Sequence, residues 1–143
     1  MSILSRFMKQ NKTVKENTIF AATKSLTDEK GEPLLWEIRH IPTKEDEKIR
    51  DACTVEVPVT GKPGMYRPKV NSSKYISKLL AESVVFPDLC DAALQDSYGV
   101  KTPEDLILEM LDDTGEYMAF TAFVQKFNGF NVSIDEKIDE AKN

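Results

Sequence analysis

One histidine, two cysteines and one tryptophan among 143 residues leave little with which to build a catalytic or metal site. A usual zinc site takes four cysteine, histidine or carboxylate ligands. Here His40 stands alone, and Cys53 and Cys90 lie far apart with no Cys-x-x-Cys spacing. No metal ligand set and no disulfide framework is expected, and a reducing cytosol fits. A catalytic base needs a nucleophile and an orienting group beside it. His40 ends a predicted strand in the same parity as Trp36 and Ile38, so it reads as a packed or half-exposed structural residue.

Long apolar runs are missing too. None approaches the ~18 residues of a membrane span. Ser5 and Arg6 follow at once on Ile3 and Leu4, so no secretory signal is expected. Glycine is sparse, and Gly61-Lys62-Pro63-Gly64 is no phosphate loop. That motif needs a glycine where Glu56 stands and a Ser or Thr where Pro63 stands. Glu45-Asp46-Glu47 and Asp112-Asp113 lack the alternating ligands and glycine of a calcium loop. No cofactor is expected.

Basic charge is short as well. The net charge is −5, and a phosphate-binding face needs the opposite sign. Residues 89 to 111 have the outline of a helix-turn-helix, but the second helix, 103 to 110, carries acids and no Lys or Arg. Neither nucleic acid nor membrane is an expected partner. The imbalance is local. Residues 1 to 15 hold Arg6, Lys9, Lys12 and Lys15 with no acid, whereas residues 102 to 143 hold ten acids against Lys126, Lys137 and Lys142. Two solvated surfaces are the plain reading; head-to-tail self-association, or a basic partner for the acidic end, is the sharper one.

What is present is one domain's worth of core, with 41% apolar residues. Residues 1–143 read as a single domain: a hairpin-containing part at 17–70, a helical part at 71–130, and a terminal helix or tail at 131–143. A short amphipathic helix is expected at 2 to 9, docked on the domain or on a partner. Strands are expected at 18 to 26 and 34 to 41, with Leu34, Trp36 and Ile38 on one side and a turn at 28–33 between the strands. Thr43 and Asp46 have capping-box spacing for a helix bearing Ile49, Ala52 and Cys53. Val55, Val57 and Val59 alternate as an edge strand containing Pro58, and residues 65 to 70 return as a weaker arm. Tyr75, Ile76, Leu79, Leu80, Val84 and Val85 form a helical stripe. A short helix stops at Gly99. Thr102-Pro103-Glu104-Asp105 opens the next, with Leu106, Ile107, Met110 and Leu111 buried. The fold class is α+β, mainly α, with antiparallel hairpins packed by Trp36 on a C-terminal helical bundle.

The helix at roughly 115 to 128 is apolar nearly all round, which marks core burial. With Phe130 and the thin terminal stripe, it exceeds what one core of this size covers. The surplus marks a protein interface. Candidate partner-binding residues are Phe120 and Phe123, each also a core candidate, and Ile134 and Ile138, which share one line of a terminal helix capped from Ser133 to Glu136.

Five segments read together resemble the XkdN-like tail assembly chaperones of phages and prophages: Gly31-Glu32-Pro33 with Trp36-Glu37-Ile38-Arg39, Glu45-Asp46, Ile49-Arg50 with Cys53-Thr54, Asp91 through Val100, and Asn128-Gly129-Phe130. Leu94-Gln95-Asp96-Ser97-Tyr98-Gly99-Val100 is the most specific of them. The resemblance implies a non-enzymatic helper in the host cytoplasm that binds the tape-measure protein, and through assembly the tail tube protein, during virion morphogenesis. It transfers no catalytic residue. A structural tail part retained in the virion, a small acidic adaptor and a small enzyme are the competing classes. Relatives in the wider class also make a longer product by ribosomal slippage, and Ala141-Lys142-Asn143 is compatible with a slippery A-AAA-AAC message.

Overall fold

A computed structural model describes residues 2–130 of the chain. The elements run α1 (Ile3–Arg6), β1 (Thr18–Phe20), β2 (Trp36–Ile38), α2 (Thr43–Ala52), β3 (Thr54–Pro58), β4 (Tyr66–Val70), α3 (Ser72–Ser83), β5 (Val84–Phe86), α4 (Ala92–Ser97), α5 (Pro103–Met110) and α6 (Thr114–Phe127). This is an α+β fold, mainly α, with the strands in two small antiparallel sheets.

β2 is the middle strand of the first sheet, in the order β1-β2-β5. Phe20 faces Trp36 and Thr18 faces Ile38 across the hairpin. Alternation puts Trp36 and Ile38 on the inner face, where both are buried, and leaves Glu37 between them half-exposed. The hairpin connection is closed by Asp28, whose carboxylate accepts from the Lys30 and Glu32 amides, and by Gly31 at φ 82°. The strands are shorter than expected. Leu34 belongs to the connection, its amide donating to the Leu26 carbonyl, and it is exposed instead of sharing Trp36's side.

Three more expectations are corrected. Val84 and Val85 do not extend the α3 stripe. The Ser83 hydroxyl donates back to the Leu79 carbonyl, the helix ends, and the β-branched pair crosses to β2 as β5, with Val84 opposite Ile38. Thr43 does not cap α2. It is already helical, Pro42 holds the cap position without a side-chain acceptor, and Asp46 is turned toward Arg50 and Tyr75. At the N-terminus only Ile3–Arg6 is α-helical, and Ile3, Leu4 and Phe7 stay exposed, undocked on the domain.

The main core gathers Trp36 and Ile38, Leu80 and Ala81 of α3, Leu106, Ile107 and Met110 of α5, and Phe120 and Val124 of α6. A second cluster joins Ile41, Ile49 and Cys53 to Tyr75 and Leu79 of α3. α3 therefore has buried faces toward both clusters and holds the two halves together. The second hairpin, β3 with β4, projects with mostly exposed side chains, and Gly61 and Gly64 at its tip take positive φ.

Candidate functional site

α6 explains the apolar surplus. Phe120 and Val124 point into the core, and Trp36 meets Phe120 edge-on with ring centres 6.0 Å apart. Phe123 and Phe127 lie beside them under the hairpin. Phe20 stacks on Phe123 at 4.2 Å, and Phe123 stacks on Phe127 at 6.3 Å. The remaining side of α6 carries Tyr117, Met118, Thr121, Ala122 and Gln125, none of which the core uses fully.

That side is one wall of a groove of about 720 Å³. Leu108 of α5 forms part of it, and the N-terminal half of α3 closes it with Ser72, Ser73, Lys74, Ile76 and Ser77. Met118 is 65% exposed and Leu108 46% exposed. Two hydroxyls in the wall are turned to their own helices. Thr121 donates to the Tyr117 carbonyl and Ser77 to the Lys74 carbonyl, so these hydroxyls are already satisfied. Burial raises the Tyr117 hydroxyl's pKa and keeps it neutral. Lys74 is the one charged side chain among the groove-lining residues. The surface is thus concave, apolar and uncharged over most of its length, which suits the apolar face of a helix.

The candidate residues fall on different sides of this picture. Phe120 has no exposed surface, so in the folded chain it serves packing. Phe123 is partly buried in the aromatic stack. The structure brings these two together on the core side of α6, away from the groove. Ile134 and Ile138 lie outside the described residues. Reading the sequence missed Leu108 and Met118 as surface residues. The signal was the excess itself, but a helix apolar all round has no periodicity to say which side is open.

The other residues singled out in the sequence lie apart from the groove. His40 is half-buried in a cleft with Lys12, Lys15 and Asp46. Cys53 is in the second core cluster and Cys90 is at the surface. Among the described residues no group of three or more His, Cys, Asp or Glu is placed to hold a metal ion. The helix that would have read DNA, α5, buries Leu106, Ile107 and Met110 in the core. No helix among the described residues is long and apolar enough to cross a membrane.

Comparison with known proteins then decides the class. The model of the phage XkdN-like tail assembly chaperone proteins matches residues 4–142. The chain belongs to this chaperone family. Among its relatives is the phage-like element PBSX protein XkdN of Bacillus subtilis (strain 168), 24% identical over 98% of this chain and 93% of that protein. The uncharacterized protein YqbN of the same strain is 21% identical over the same shares. The crystal structure of YqbN has the same fold, with a TM-score of 0.74 at 19% identity, covering 92% of this chain and 99% of that one. In this member of the tail assembly chaperones, the groove of α3, α5 and α6 is an apolar concavity larger than the clefts beside His40 and beside Arg39.

Proposed function

We propose that this chaperone holds the tail tape-measure protein in the bacterial cytoplasm during tail assembly, without catalysis, and hands it to the tube protein. The observation that carries the reading is the apolar groove on an acidic chain. A long helical client exposes apolar faces that aggregate before its tube surrounds it. A concave apolar surface of this size covers about two helical turns of such a face. The acidic body keeps the complex soluble. The family assignment supports the assembly role, and the groove supplies a place for the client.

The test is co-expression with the tape-measure protein of the same phage. The wild-type chain keeps the client in the soluble fraction and co-purifies with it. Met118→Glu, which puts a carboxylate at the exposed groove wall, releases the client while the chain itself stays folded. Purified virions lack the chain. A chain found in virions in stoichiometric amounts, or a client that stays bound to the Met118→Glu protein, overturns the reading.

A further inference from the structure

The described chain ends five residues past Gln125, the last α6 residue of the groove wall. α6 finishes with Gly129 at φ 76°, and the Gly129 amide donates to the Lys126 carbonyl. The next amide, of Phe130, donates 2.8 Å to the carbonyl of Gln125, a residue of the groove wall. This pair of bonds reverses the chain at the end of the helix. Residue 131 therefore follows about one turn from Gln125, after Phe130, which itself lines the neighbouring cleft of Lys15, His40 and Ile41.

Reach is not limiting. Extended chain covers about 3.3–3.6 Å per residue, so the step from Phe130 to Ile134 spans about 13 Å. From Gln125 to Tyr117 the wall rises about 12 Å along α6. The segment's chemistry also matches. Val132, Ile134 and Ile138 supply apolar side chains, and Ile134 and Ile138 are spaced four apart. Asp135, Glu136, Asp139 and Glu140 outnumber Lys137 and Lys142. The wall they would meet has Lys74 as its charged residue and the N-terminal turn of α3 beside it, both favouring an acidic occupant.

We infer that residues 131–143 dock in cis into the groove of α3, α5 and α6, with Ile134 and Ile138 against Met118 and Leu108. The tether makes this a millimolar-effective-concentration contact, so weak intrinsic affinity is enough to fill the groove. The consequence for the client rests on the groove being its site: the segment is then a resident that the tape-measure helix displaces.

Methyl NMR of the methionines tests the docking without any client. Met118 lies in the groove, Met110 in the core and Met65 near the β4 hairpin arm. Ending the chain at Phe130, or making Ile134→Ser with Ile138→Ser in the full chain, shifts the Met118 methyl and leaves Met110 and Met65 in place. A synthetic peptide of residues 131–143 added to the shortened chain restores the Met118 position, and the peptide with both serines does not. In the full chain the Met118 position is independent of protein concentration. A Met118 methyl unmoved by both changes overturns the inference, as does one that moves with concentration, which would put a second copy in the groove. Failure of client binding with these shifts intact would overturn the proposed function and not the docking.

Discussion

Trp36 and Tyr75 show what one side chain decides. Trp36 is 1% exposed and edge-on to Phe120, so Trp36→Ala removes a fully buried ring at the junction of hairpin and bundle. It should cost about 3–5 kcal/mol, read as a lowered urea midpoint with unchanged slope. Tyr75, 7% exposed, donates its hydroxyl to Asp46, while the Arg50 guanidinium lies 4.6 Å over its ring and pairs with Asp46 at 2.9 Å. Burial, then the bond to Asp46, pushes the Tyr75 hydroxyl up to about 12. The unfolded chain loses this proton near the ordinary value of about 10, the folded chain later. The associated stability is therefore whole below pH 10 and declines as pH rises toward 12. Spectrophotometric titration should show one tyrosine ionising near 12, and Tyr75→Phe should abolish that step and flatten the alkaline decline. Trp36's burial was legible in the sequence from simple alternation with Ile38. The contact of Tyr75 with Asp46 was not, because local pattern carries no information about residues 29 apart.

At the level of elements, signals that are local and redundant were readable, and those set by tertiary pairing were not. Thr102 followed by Pro103 announced α5, and the Thr102 hydroxyl does accept from the Asp105 amide at 3.1 Å. The similar spacing of Thr43 and Asp46 misled, because tertiary partners took the Asp46 carboxylate. The two threonines separate in a simple experiment. Thr102→Ala should cost about 1 kcal/mol of unfolding free energy, the usual value of a lost cap. Thr43→Ala, at an exposed first-turn position with no capping bond, should fall within about 0.5 kcal/mol of wild type. β5 stayed hidden because Val84 and Val85 fit a helical stripe as well as a strand. Only the presence of β2 as a partner decides between them. The groove stayed hidden for a related reason. It needs three helices to be assembled before its wall exists, and α6 alone shows apolar residues in every direction.

For the molecule as a whole, the family fold and the assembly class were legible from segments spread over the chain, whereas the groove proposed as the working surface was not. The two core clusters meet along α3, so the halves they define cannot come apart independently without exposing Leu79 and Leu80. One other contact closes the structure. The Lys15 ammonium sits 4.3 Å from the centre of the Phe127 ring and donates to the Phe127 carbonyl, so the stretch leading into β1 is fastened to the last turn of α6. Topologically the body is then a ring with a single gap. The gap should be movable. A permuted gene that joins Phe130 to Lys15 through a short glycine-serine bridge, and opens instead between Gly61 and Gly64, places the new termini at an exposed hairpin tip. The permuted protein should retain the wild-type circular dichroism spectrum and unfold in a single transition. Loss of that transition would mean that the order in which β1 and α6 emerge from the ribosome, and not only their final contact, is needed to reach the fold.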